Sequence, residues 1–351
     1  MTDVVPLLLP PNQPPARPYR GGAGILALRG SGSTDDHVPE DFVASVTTTF
    51  GSDTTGLTTL PDGRTLREAI AADPEAWLGA AHVETFGADP ALLVKLLDTG
   101  ERLFAHFHPD AAFAAAHLGQ PRGKTEARLI TSTGASPTAE VWLGFRQPVA
   151  ASTLAEWVSS QDVPALLDSL VPLTVRAGDW VHVPAGTPHA IGQGITLVEL
   201  QEPSDLSILL EYAGFPLDPA GAFLGLGLDE ALGGLEPGVV GQEAVARLHG
   251  AAPTRGPGSG PGESPLLPSE AAAFFSASSL LVTPEAPLDL DRGYGVLVVT
   301  DGSGTLAWAG GSLDLTRGSV VLVPFAADAV RLTGSLSALR ARPPAPVRAT
   351  A

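Results

Sequence analysis

A mainly β fold, two related β units with a small helical insertion in the first, is what this sequence predicts. Short apolar runs cut at close intervals by Gly, Pro and Asp are the first reason. The 40 glycines and 33 prolines are the second, because turn formers at that density favour many short strands over long helices. The third is a weak internal repeat. Arg176-Ala-Gly-Asp-Trp-Val-His-Val-Pro-Ala and Thr316-Arg-Gly-Ser-Val-Val-Leu-Val-Pro-Phe each read as a turn, an apolar strand and a proline.

The elements follow in order. Ile25-Leu-Ala-Leu, Leu92-Leu-Val-Lys-Leu-Leu, Leu103-Phe-Ala-His-Phe-His, Ala127-Arg-Leu-Ile and Val141-Trp-Leu-Gly-Phe read as strands. Helical spacing interrupts them at residues 65–72, where Leu66 and Ile70 are four apart, at 111–118, and at 152–170, with Ser152 as N-cap. Strand rhythm returns at Leu173 and runs to Leu210. Residues 250–268 (GAAPTRGPGSGPGESPLLP) have the composition of a linker and no periodicity. They divide the chain into a unit at 1–249 and a second all-β unit at 269–351, punctuated by turns such as Asp301-Gly-Ser-Gly.

Composition narrows the function. The 351 residues carry a formal net charge of −18, which disfavours phosphate backbones and anionic membranes as partners. No apolar run approaches the roughly 20 residues of a bilayer span, and the N-terminus lacks the basic segment of a signal peptide, so a cytoplasmic location is expected. The absence of cysteine excludes disulfides, thiolate metal sites and thiol nucleophiles, leaving nitrogen and oxygen to hold any ion.

All eight histidines precede the linker, so imidazole chemistry belongs to the first unit. His106 and His108 stand at i and i+2 of a strand, which turns both rings to one face. Gly100 precedes His106-Phe-His108 by a five-residue gap. Gly178, five residues, Pro184-Ala-Gly186, two residues and His189 form a second pattern. The two spacings resemble the motifs of the cupin superfamily, whose jelly-roll β-barrels use such histidines as metal ligands. Two cupin barrels are therefore the expected architecture. A carboxylate on the following hairpin usually completes that site, and Glu126 fits. Three imidazoles and one carboxylate suit Zn²⁺, Fe²⁺, Mn²⁺ or Ni²⁺. His37, His82, His117 and His249 are expected to be structural.

The order of Leu92-Leu-Val-Lys-Leu-Leu-Asp, Leu103-Phe-Ala-His-Phe-His-Pro-Asp, Gly123-Lys-Thr-Glu, the Gly178 to Ile195 segment and Leu197-Val-Glu-Leu-Gln-Glu-Pro-Ser-Asp resembles type I mannose-6-phosphate isomerase. Arg17-Pro-Tyr-Arg-Gly-Gly and Pro39-Glu-Asp-Phe-Val-Ala-Ser stand where that family has further motifs. The resemblance implies Zn²⁺, or Mn²⁺ or Fe²⁺, on His106, His108, Glu126 and His189. It implies an active-site lysine at Lys124, an acid at Asp205 and a substrate-binding lysine at Lys95. The implied chemistry is aldose–ketose isomerisation of a sugar or sugar phosphate through a cis-enediol, with Glu199 as a candidate proton carrier. Two positions depart from the family. His106 replaces a glutamine, and the family's arginine falls on Leu209. Arg128, two residues beyond Glu126 on the same strand face, is the candidate substrate-binding replacement. A cupin oxygenase using Fe²⁺ and a non-catalytic sugar-binding cupin are the alternative readings.

Overall fold

A computed structural model describes residues 4–236, 239–251 and 260–346. Three antiparallel sheets hold most of it. A six-stranded sheet runs in the order His249–Ala251, Asp179–Val183, Glu126–Ser132, Thr196–Gln201, Leu93–Asp98, Glu40–Val43. A five-stranded sheet runs Ile208–Leu209, His106–Phe107, His189–Ile191, Ala139–Phe145, Leu170–Val175. The third, eight-stranded, is built on the long strands Gly295–Trp308 and Val330–Arg342, and the N-terminal strand Leu7–Leu8 pairs into it beside Val320–Val323.

Alternation along the six-stranded sheet explains why it is buried on both faces. Val94, Leu96, Ala127, Leu129, Val198 and Leu200 point outward and join one apolar core with Val296, Val298, Val320 and Leu322 of the C-terminal sheet. Leu97, Ile130 and Leu197 point the other way and pack with Leu143, Ile191 and Ile208 of the five-stranded sheet. On that inner face the register places Glu199 opposite both Lys95 and Arg128, and Gln201 opposite Glu126. Charged side chains in a two-faced buried sheet are costly unless paired. Here they cluster where the core gives way to a cavity.

The mainly β expectation holds, and both copies of the internal repeat form the turn and strand read from the sequence. Gly178 and Gly318 sit in those turns at φ of 95° and 86°, a conformation that favours glycine. The strand expected at Ile25 is instead the helix Gly24–Arg29. Ile25 and Leu28, three apart, bury one face, Gly30 closes the end in a left-handed conformation, and the Asp98 carboxylate accepts the N–H groups of Gly24 and Ile25 from a neighbouring strand. Local apolarity alone does not distinguish such a helix from a strand.

The expected helix at 152–170 is two helices, Ala151–Ser160 and Val163–Ser169. Ala150, not Ser152, is the N-cap of the first. Gln161 at φ 53° breaks the run, and Asp162 caps the second by accepting the Ala165 N–H at 3.1 Å. Helix Leu66–Ala72 starts from a capping box of Thr65 with Glu68, as the spacing suggests. Of the expected linker, residues 252–259 lie outside the described residues, while Gly262–Pro265 is a strand paired with Ser276–Val282.

Glu211 ties the entry of the His106 strand to the five-stranded sheet. Its carboxylate accepts the Ala105 N–H at 2.9 Å and takes both Arg102 terminal nitrogens, at 2.7 and 2.5 Å. Glu211→Ala leaves a buried N–H without a partner and is expected to destabilise the protein by about 1–3 kcal/mol. Urea unfolding of the variant beside the parent checks this.

Candidate active site

His106 and His108 leave the same face of their strand, and His189 enters from the neighbouring strand in direct register with His106. One ring nitrogen from each lies within 4.8 Å of the others, and all three residues are buried. The second nitrogen of each ring is fixed. Nδ1 of His106 donates to the Phe104 carbonyl at 3.0 Å, that of His108 to Leu206 at 2.8 Å and that of His189 to Thr187 at 2.8 Å. A carbonyl only accepts, so each Nδ1 carries the proton and each Nε2 presents a lone pair.

Glu126 completes the cluster. Its Oε2 is 3.1 Å from His108 Nε2, and its Oε1 is 3.5 Å from His189 Nε2. These four atoms are buried and make no hydrogen bond. Lone pairs facing carboxylate oxygens at such range repel unless a cation lies among them, so the donor set fits a divalent ion. The electrostatic environment agrees. Burial lowers all three imidazole pKa values, His108 to about 4 with Lys124 adding to the effect, which keeps the rings neutral. Burial would raise the Glu126 carboxyl, yet the Arg128 and Lys124 charges hold it well below the usual carboxylate range.

A cavity of about 140 Å³ opens beside His106. Lys124, Arg128 and Glu199 line one wall with it. Arg17, Tyr19, Glu40, Asp205 and Ser207 contribute a second polar surface, and Leu209 belongs to an apolar one with Leu97, Leu103 and Ile191. Arg128 contacts Glu126 through Nη2, and its Nε lies 3.4 Å from Glu199. Lys124 is 3.4 Å from Glu126. Burial, reinforced by the Glu126 charge, pushes the Glu199 carboxyl up to about 7.

Asp205 is saturated with donors. It accepts from Arg17 Nη1 and Nη2 at 3.2 Å each, from Lys95 Nζ at 2.8 Å and from the Phe50 N–H at 3.1 Å. Although buried, it is held far below the ordinary carboxylate range by Arg17 and then Lys95. A carboxylate this fixed organises its neighbours and has no proton to move. Lys95 is 1% exposed, lies 4.2 Å from the centre of the Phe42 ring and is not among the residues lining the cavity. It reaches the site through Asp205 and Glu40, where the sequence suggests direct contact with substrate.

Nothing in the sequence assigns a role to Arg17, Tyr19 or Glu40. Arg17 Nε is 2.6 Å from Glu40, and the Tyr19 hydroxyl donates to Glu40 at 2.6 Å. They lie in the segments Arg17-Pro-Tyr-Arg and Pro39-Glu-Asp-Phe, and nothing local to either shows that this loop and edge strand meet at Asp205, far along the chain. His182 points away from the cavity and packs its ring against Phe275 at 6.4 Å. His37, His82, His117 and His249 contact Arg17 O, Asp89 O, Glu230 and Asp179 respectively, outside the cluster.

At the mouth, Phe50 is 51% exposed and separates the inner cavity from an outer one of about 720 Å³, of which it and Asp205 are shared walls. No helix among the described residues is long and apolar enough to cross a membrane.

No family model matches the chain. A stretch of 132 residues is 38% identical to mannose-6-phosphate isomerase from Streptococcus mutans, covering 36% of this chain and 40% of that protein. Another of 119 residues is 34% identical to a mannose-6-phosphate isomerase of Bacillus subtilis, covering 34% and 36%. The chain thus matches about two fifths of the length of these curated relatives. Likeness of fold extends further. The crystal structure of mannose 6-phosphate isomerase from Bacillus subtilis superposes with a TM-score of 0.71 at 21% identity over 96% of this chain and 99% of that one. A mutant phosphomannose isomerase from Salmonella typhimurium does so at 0.71 and 15% over 97% and 100%.

Proposed function

We propose that this chain, which shares the phosphomannose isomerase fold, is a metal-dependent aldose–ketose isomerase interconverting mannose 6-phosphate and fructose 6-phosphate, or a related sugar, in the cytoplasm. The observation that supports this most is Glu199, a buried carboxyl raised to about 7, on the cavity wall it shares with His106, Lys124 and Arg128. A base poised near neutrality beside a cation site is what proton transfer next to a carbonyl requires.

His106, His108, His189 and Glu126 would hold the ion, which we assign as Zn²⁺, with Mn²⁺ and Fe²⁺ as alternatives. Bound there, a divalent ion supplies a Lewis acid that polarises the sugar carbonyl. Glu199 as carboxylate takes the proton from C2, the C–H electron pair becomes the C1–C2 double bond and the C1 carbonyl pair passes to its oxygen, which takes the proton of the neighbouring O2 hydroxyl to give the monoanion of the cis-enediol. The same carboxylic acid then returns its proton to C1 as the O2 oxyanion pair forms the C2 carbonyl, leaving the ketose. Lys124 and Arg128 offset negative charge developing on the two oxygens. Arg128 takes the part that Leu209, in the apolar wall, cannot play. The C-terminal unit, which contains no histidine, serves as scaffold.

Arg128→Ala is expected to lower kcat by about 10²–10³, the usual cost of one oxyanion donor, with bound metal unchanged. Steady-state kinetics and metal analysis of the same sample check both parts. The activity itself is tested by a coupled assay for conversion of mannose 6-phosphate to fructose 6-phosphate, with free mannose in parallel, after reconstitution with Zn²⁺, Mn²⁺ or Fe²⁺. Turnover without oxygen uptake supports the isomerase. Oxygen uptake with Fe²⁺ and no isomerisation would replace it with the oxygenase.

A further inference from the structure

Four charged groups meet on the polar wall of the cavity, and only one of the two cations reaches the open space. Lys95 is covered by Phe42 and Asp205. Arg17, whose side chain is 19% exposed, lines the cavity. Its three nitrogens are aligned by Glu40 on one edge and by both oxygens of Asp205 on the other. Those carboxylates are held in turn by Tyr19, Lys95 and the Phe50 N–H. Burying two ion pairs in this way is poorly justified by stability alone, since an apolar cluster of the same volume is often as stable.

We infer that Arg17 is a substrate-positioning residue, which grips adjacent hydroxyls of the sugar with the N–H groups not used on Asp205 and Glu40. This rests on the isomerase reading. A guanidinium already balanced by two carboxylates has little net charge to offer, so the cluster suits neutral hydroxyls better than a phosphate. Lys124 and Arg128 lie against Glu126 and Glu199, and Arg17 is the cation lining the cavity that pairs with neither. A fixed planar fork there would hold the sugar equally in the ground and transition states, so its loss is read in KM.

The test is steady-state kinetics of the metal-loaded full chain and of Arg17→Lys and Arg17→Met, with mannose 6-phosphate and free mannose as substrates. Lysine keeps a cation beside Asp205 but loses the fork. A purely structural role is restored by lysine; positioning is not. The expected result for Arg17→Lys is a KM raised about tenfold or more for both sugars, with kcat within about threefold and unchanged bound metal, as loss of a charge-assisted hydrogen bond entails. Arg17→Met is expected to show the same rise or a larger one; should it fail to fold, the lysine variant decides. Parental turnover with an unchanged KM in Arg17→Lys overturns the inference and leaves the isomerase standing. Absence of turnover and of binding of either sugar by the metal-loaded parent overturns both.

Discussion

Replacing His189 by alanine is expected to cost the protein its stoichiometric metal and on the order of a thousandfold in turnover, the equivalent of several kcal/mol of lost Lewis-acid stabilisation. His189 is the right member of the triad to remove because it is central. Its ring lies 4.0 Å from that of His106 and 5.0 Å from that of His108, centre to centre, and its Nε2 faces Glu126. It is fully buried between Leu143 and His106 in the five-stranded sheet, so a small apolar replacement keeps the backbone pairing. Metal analysis after dialysis, with kinetics on the same protein, checks both losses. Metal retained at one per chain with activity lost would assign His189 to substrate or proton transfer instead.

Glu199→Gln is expected to give the opposite combination, with metal intact and kcat lower by about 10²–10⁴, the range of general base catalysis. Glutamine preserves the shape and the cross-strand pairing with Lys95 and Arg128 but cannot accept a proton. The pH profile carries the sharper signature. The base must be ionised, and burial with the Glu126 charge raises Glu199 to about 7, so parental activity rises as pH increases through that region. The residual activity of the variant has no such acid limb. A limb that persists unchanged in Glu199→Gln would move the base elsewhere.

How far the sequence can be read depends on whether a residue's role is local. His106 and His108 are legible because strand alternation alone sends both rings to one side. Glu126 and Arg128 share a face for the same reason, and the register puts Glu199 beside Arg128. The shared faces of His106 with His108 and of Glu126 with Arg128 need no distant partner to be recognised, whereas the fate of Ile25-Leu-Ala-Leu is settled by Asp98, a tertiary cap on the helix start. Gly30 is the one local clue to that helix.

The polar wall is the illegible part. Arg17 and Asp205 are 188 residues apart, and no periodicity in either segment implies their contact. The resemblance implies a substrate-binding lysine at Lys95; its register opposite Glu199 puts it on the inner face, where Phe42 and Asp205 cover it. Leu209 reads as an uncharged position, and the structure adds that it pairs with His106 and forms part of an apolar wall. Alternation gives the face on which a side chain emerges; what lies above it is decided by segments far along the chain.

The most direct test of the central claim is a metal titration of the apo protein in which bound Zn²⁺ and conversion of mannose 6-phosphate to fructose 6-phosphate are followed on the same samples. The expected result is turnover that rises in proportion to bound metal and saturates at one ion per chain. Stoichiometric binding with no conversion of mannose 6-phosphate or free mannose at any loading would contradict it.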